Sequence, residues 1–317
     1  MTRPHKPLAL VPGSIVTLVS PGFPADARSI ERGMAELRRL GWSPRRVALR
    51  ERPDGYFAAP ARARAAEFIA ALRHARSDAL ICVRGGYGSA EILEALAAAR
   101  GLRLKLLIGF SDVTSLQVFL WQRKGWVTLY GPMAAAHLDG GAGKRHGYDA
   151  ASFASAVSVA RGGWEIPLRG KALVRGIANG RVLGGCVTLL QTTLGTPWEF
   201  DARGAILLLE DRGVRPYQLD RMLLHLRQAG KFKGVRGIVL GEFPDAGSSR
   251  TGTTILEVCR RRLADLGVPI VFGAAIGHTP RPMLTIPLGV RARLTASGEG
   301  RLDILEPAVA PRAIKRW

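Results

Sequence analysis

The chain has 317 residues, of which 47% are hydrophobic and 22% charged, the balance of a soluble globular protein with room for one large or two medium domains. No apolar run approaches the roughly 18–20 residues of a membrane span, so no membrane partner is expected. The formal net charge of +21 suggests a polyanion partner. However, the basic residues are scattered from Arg3 to Arg316, with only short clusters such as Arg260–Arg262. No helix-turn-helix, zinc or RNP signal accompanies them, so a solvated Arg-rich surface is the simpler reading and no nucleic acid is expected. Such a field would also help draw in a small anionic substrate.

Three cysteines, Cys82, Cys186 and Cys259, form neither a CxxC pair nor a disulfide framework, which suits a reducing, cytoplasmic compartment. Pro4, Pro7, Pro12 and Gly13 interrupt the first residues, so no signal peptide is read there, and the start is expected to be unstructured.

In chain order, strands are expected at Ser14–Ser20, Ala79–Val83, Leu104–Ile108 and Val127–Tyr130. Helices alternate with them at Ser29–Leu40, Ala61–Ala75, Glu91–Ala99 and Asp112–Gln122. Short apolar strands separated by helices predict a parallel sheet covered on both faces. Gly140–Gly170 breaks this rhythm and reads as an inter-domain connection, dividing the chain into residues 1–160 and 161–317. The second half carries strand signals at Arg181–Leu183, Ala205–Leu209, Gly237–Leu240, Pro269–Phe272, Val290–Leu294 and Leu302–Leu305. Helices are expected there at Val187–Thr193, Gln218–Ala229 and Thr254–Leu266, giving a smaller mixed α/β domain.

Candidate chemistry lies in several separate segments. The run Leu104–Leu120 puts Ser111 between an apolar strand and a helix, where open α/β sheets bind ligands and where a nucleophile elbow would stand. A second glycine of the full elbow motif is replaced by Val113, and a plain helix cap remains the alternative. The loop Arg84–Ser89 (RGGYGS) reads as an anion cradle, as half of an oxyanion hole, or as a tight turn. Among six histidines, His278 is displayed in a Gly-His-Thr-Pro loop, while His137 and His146 flank a glycine-rich loop. Glu210 closes the all-apolar strand Ala205–Leu209 and is followed by Asp211. The order Ser111, Glu210, His278 matches one triad class, although order does not establish proximity. No HExxH motif or Cys/His cluster with zinc spacing occurs, so neither a metal nor another cofactor is expected.

Together these segments resemble the LD-carboxypeptidase family of serine peptidases, which includes the muramoyltetrapeptide carboxypeptidases. The resemblance runs through SPGFP, RGGYGS, IGFSDVTS, Gly131-Pro132-Met133, GGCVTLLQTTLGTPW, ILLLED, PYQLDRM and GHTPRPMLTIPLG, in the expected order along nearly the whole chain. It implies a flavodoxin-like or amidotransferase-like N-terminal layer, a distinct C-terminal domain, a site between them and a homodimer. It also implies Ser111 as nucleophile, Glu210 as acid, His278 as base, and the Gly86 and Asp112 N–H groups as the oxyanion hole. Arg84 becomes the candidate partner for a substrate carboxylate. The implied activity is metal-independent release of terminal D-Ala from murein tetrapeptide in peptidoglycan recycling. Family relatives that hydrolyse microcin-C-type peptide-nucleotides supply an alternative, and a basic polyanion-binding protein without catalysis supplies another of a different class. One departure is Cys186, where the family usually has Asn after two glycines.

Overall fold

Apolar runs of four or five residues become the inner strands, and the amphipathic stretches between them cover the sheets. In the computed structural model, described over residues 3–46, 53–158, 163–247 and 252–312, two sheets form. The first contains β1 (Ile15–Val19), β2 (Ser43–Arg46), β3 (Ala79–Cys82), β4 (Leu106–Gly109) and β5 (Thr128–Tyr130), all paired in parallel. Helices α1 (Ala27–Arg39), α2 (Ala61–Arg73), α3 (Leu93–Ala98), α4 (Thr114–Lys124) and α5 (Ala150–Val157) belong to this half of the chain. A much later strand, Ile286–Leu288, joins antiparallel to β5 and closes that edge.

The second sheet has eight strands. They are β6 (Trp164–Pro167), β7 (Lys171–Val174), β8 (Gly176–Cys186), β9 (Ala205–Glu210), β10 (Gly237–Gly241), β11 (Ile270–Ala274), β13 (Arg291–Ala296) and β14 (Arg301–Ile304), Ile286–Leu288 being β12. Their order is β6-β14-β13-β8-β9-β10-β11-β7, with β8 to β11 parallel and the outer strands antiparallel. Helices α6 (Val187–Thr192), α7 (Pro216–Gln228) and α8 (Ile255–Leu263) complete this half. A half-buried ion pair from Arg262 to Asp220, at 2.6 Å, ties α8 to α7.

Several elements differ from the sequence expectation, each for a local reason. Strand β2 reads Ser-Pro-Arg-Arg, with no buried residue, and takes its place at the sheet edge by pairing with β1. Strands β6 and β7 lie at the two margins of the second sheet, where few side chains need to be apolar. β8 is much longer than Arg181–Leu183, because its several glycines interrupt the alternation that marks a strand. The start of the chain is not unstructured: His5 forms a bridge with Trp126, its N–H donating to the Gly125 carbonyl at 2.7 Å.

The described residues 140–158 of the stretch read as a connection are tied to the loop around Met283. Asp149 N–H donates to the Met283 carbonyl and Met283 N–H to the Gly147 carbonyl, both at 2.9 Å. Phe153 of α5 packs edge-on to Trp42 and Tyr148. The division expected at residues 160 and 161 lies outside the described residues.

Helix α1 shows how packing reaches the site. Asp26 caps it by accepting the Ser29 N–H at 2.8 Å, and Ile30, Gly33, Met34 and Leu37 form its buried stripe. A Cβ at Gly33 would stand 2.0 Å from the Ala134 carbonyl oxygen. The helix therefore lies directly on the backbone of the turn Met133–His137. Gly to Ala within a helix ordinarily stabilises by about 1 kcal/mol. Here the sign reverses: Gly33→Ala should destabilise by about 1–3 kcal/mol through overpacking, read as a lower thermal midpoint, and a raised midpoint would refute the contact.

Candidate active site

Ser111 follows β4 at the carboxyl end of the first sheet and opens a single 3-10 turn that leads into α4. Its φ is 63°, a left-handed conformation that a residue with a side chain adopts at a cost. The turn thereby lifts the hydroxyl out of the sheet edge. Gln117, buried in α4, donates to the carbonyls of Gly109 and Leu129 at 3.0 and 2.9 Å. That side chain satisfies the backbone where β4 and β5 part around Ser111.

Glu210 ends β9 in the second sheet with no solvent exposure. Both the His278 ring Nδ1, at 2.8 Å, and the His278 backbone N–H, at 2.9 Å, meet its Oε2. Its Oε1 accepts from the Tyr130 hydroxyl at 2.5 Å. Burial pushes the Glu210 carboxyl up, but the His278 charge and the hydrogen bonds from His278 and Tyr130 outweigh it and hold the group below the ordinary carboxylate range. For His278 burial pushes down, and the Glu210 charge and hydrogen bond raise the imidazole above its ordinary value.

The loop bearing His278 owes its path to a residue without a side chain. Gly277 has φ 58°, and a Cβ there would lie 2.3 Å from the Glu210 Cδ. Phe110, immediately before Ser111, meets the His278 ring edge-on with centroids 5.2 Å apart. Thr279 donates to Glu242, and the His146 N–H donates to the Pro280 carbonyl at 2.8 Å.

Ser111 and His278 share a cavity of about 810 Å³ whose wall also includes Arg84, Gly85, Gly86, Cys186 and Arg212. A Cβ at Gly85 would stand 3.1 Å from the Ser111 Oγ, so the glycine loop presses its backbone against the hydroxyl. The Asp112 carboxylate, fully buried, accepts the Ser89 N–H at 2.9 Å and clamps that loop to the serine turn. Its pKa is raised by burial, the Ser89 and Gly88 donors opposing. The Cys186 N–H donates to Thr114 Oγ1 at 3.1 Å, joining the end of β8 to α4.

The structure thus places Ser111, His278, Gly86 and Arg84 on one cavity, with Glu210 behind His278 and Asp112 behind the glycine loop. His137 and His146, left open by sequence, also face this cavity. His137 holds the Gly147 carbonyl through Nδ1 at 2.9 Å, and burial lowers its pKa. Tyr130 and Gln117 were not singled out, since one polar residue inside an apolar strand or helix gives no spacing signal. Among the described residues no group of three His, Cys, Asp or Glu side chains is placed to hold a metal.

Residues 16–131 match the LD-carboxypeptidase N-terminal domain and residues 179–294 the LD-carboxypeptidase C-terminal domain. The chain belongs to the LD-carboxypeptidase family. It is 30% identical to a Bacillus subtilis protein named "Probable murein peptide carboxypeptidase", over 98% of this chain and 97% of that one. A solved muramoyltetrapeptide carboxypeptidase from Oxalobacter formigenes aligns with TM-score 0.78 and 27% identity, covering 92% of this chain and 99% of that one. The microcin C7 self-immunity protein in complex with aspartyl sulfamoyl adenosine shares the fold, with TM-score 0.84 and 22% identity over 97% of this chain and 100% of that one.

Two outcomes are expected of the Glu210–His278 pair. Since neutral imidazole is the form able to accept a proton, kcat/KM should rise through a pKa above 6.5, and Glu210→Gln should move that limb down while lowering the plateau by about 10²–10⁴-fold. A pH-rate profile with its limb below 6.5 in the unmodified protein would contradict the pairing. Gly277→Ala should cost at least as much activity as Glu210→Gln, because the added methyl displaces the carboxylate; unchanged turnover would show that the loop adapts.

Proposed function

We propose that this chain is a serine-type, metal-independent carboxypeptidase that cleaves the L,D amide bond of murein tetrapeptide and releases terminal D-Ala. The observation that carries the reading is the Glu210–His278 pair opening on the same cavity as Ser111 at its left-handed turn. In this reading His278 takes the Ser111 proton as the oxygen attacks the carbonyl before the D-residue. Glu210 holds the ring in place and stabilises its charged form.

The oxyanion formed in that attack faces the Gly86 and Asp112 N–H groups. Each such donor typically contributes about 3–4 kcal/mol to the transition state. Collapse of the intermediate breaks the amide bond, and His278 returns its proton to the departing D-Ala amine. Water then attacks the acyl-serine by the same route and frees Ser111. Arg84, exposed on the cavity wall, takes the substrate's terminal carboxylate. A cavity of this size accommodates several residues of peptide.

The wider setting in this reading is peptidoglycan recycling in the cytoplasm by a homodimer. Among the described residues no helix is long and apolar enough to cross a membrane. The murein-peptide names belong to proteins 30% and 27% identical to this chain, against 22% for the peptide-nucleotide protein, and so support this substrate.

Incubation of the purified protein with L-Ala-D-Glu-meso-diaminopimelate-D-Ala, with and without EDTA, should release D-Ala detectable by mass spectrometry. Release should survive EDTA and vanish in Ser111→Ala. Release from aminoacyl-sulfamoyl adenosine alone would move the assignment to the peptide-nucleotide class, and turnover by Ser111→Ala would remove the serine mechanism.

A further inference from the structure

Tyr130 closes β5, the strand beside β4, and its side chain is fully buried. Phenylalanine would fill the same space without the cost of burying a hydroxyl, so the oxygen needs partners. It has two, one from each sheet. The hydroxyl donates to Glu210 Oε1 at 2.5 Å and accepts the Ser111 backbone N–H at 3.2 Å. The other Glu210 oxygen is taken by His278. One phenolic oxygen therefore joins the backbone of the serine turn to the carboxylate behind the histidine.

We propose that Tyr130 is a positioning residue that sets Ser111 and the Glu210–His278 pair in register through this shared oxygen, an inference that rests on the serine-hydrolase reading above. Two consequences follow. The Ser111 N–H is spent on Tyr130, so donors for an oxyanion come from Gly86 and the residue after the nucleophile. The left-handed Ser111 also gains an anchor against relaxing to an ordinary conformation. Burial, with the Glu210 charge next, pushes the phenol well above its ordinary pKa, so it remains a donor across the working range.

The sign of its removal can be derived. Without the Tyr130 donor the Glu210 charge is less shared, so it holds the His278 proton more tightly, and the imidazole pKa rises further. The other groups acting on His278 are Asp211 and Arg212, which follow Glu210, and His137, which stands across Phe110. None of them changes in Tyr130→Phe, so a shift reports on the hydroxyl.

The test uses the full chain as wild type, Tyr130→Phe, Glu210→Gln and the double variant. NMR titration of histidine-labelled protein should place His278 about 0.5–1 pH unit higher in Tyr130→Phe than in wild type. In the Glu210→Gln background the same change should have no further upward effect. The plateau rate of Ser111 labelling by a fluorophosphonate probe should fall about tenfold or more in Tyr130→Phe. For D-Ala release, kcat should fall while KM stays within about twofold. An unmoved His278 titration, or effects that add fully to those of Glu210→Gln, would overturn the proposal. Should Tyr130→Phe lose its fold, 3-fluorotyrosine at position 130, a stronger donor, must shift His278 downward, and an upward or absent shift overturns it equally. If wild-type Ser111 resists the probe, the serine mechanism fails, while the titration still judges Tyr130.

Discussion

A carboxylate without solvent contact persists as an anion only where donors replace its water, and Glu210 meets them from a loop of one half of the chain and a strand of the other. The ring and backbone of His278 take one oxygen, and Tyr130 takes the other. Because β9 belongs to one sheet and β5 to the other, satisfying this one charge also fixes how the two sheets meet. The backbone follows from the same demand. Gly277 must lack a side chain for the loop to bring both of its neighbour's donors to the acid. Gly241 is crowded by Glu210 from the adjacent strand, its Cβ position lying 2.6 Å from the Glu210 Cβ.

The serine side is arranged by complementary means. A strained turn lifts Ser111, Asp112 reaches back to secure the glycine loop, and Gln117 repairs the strand ends that the turn leaves open. These three residues lie within seven positions around one strand-to-helix junction, whereas Glu210 and His278 arrive from distant segments. The cavity between them carries arginines on its wall. Arg212 is paired to Asp245 at 2.7 Å, whereas Arg84 and Arg145 have no ion-pair partner among the described residues. The same wall carries the aspartates Asp139, Asp211 and Asp245, so acidic and basic groups alternate around the cavity and the charge excess of the chain is not concentrated there.

Much of this was legible in sequence, and the boundary follows physical lines. Apolar runs such as Leu106–Gly109 and Ala205–Glu210 declare buried strands, because both faces of each must be covered. The Ser111 turn was visible because its strand and helix are contiguous. Strand β2, by contrast, is polar and lies at an edge, so its residues obey pairing rather than burial. Within the stretch Gly140–Gly170, read as a connection, the pairing of Tyr148 with Met283 was not legible because the two are far apart in sequence. Tyr130 was invisible for a related reason: its importance lies in an oxygen reaching across to another sheet, and neither alternation nor composition records such a reach. Motif resemblance brought Glu210 and His278 together before any geometry did, since nothing local links positions so far apart.

The return of β12 to the first sheet has a consequence for how the molecule comes into being. A ribosome delivers the chain from its beginning, so β1 to β5 emerge long before Ile286–Leu288. Until then β5 presents an open edge, and the strand bearing Tyr130 lacks its outer neighbour. By the time that edge is sealed, Glu210 and His278 have already left the ribosome. The first sheet thus cannot be completed before Glu210 and His278 have been made, so its last strand and the Glu210–His278 pair become available together.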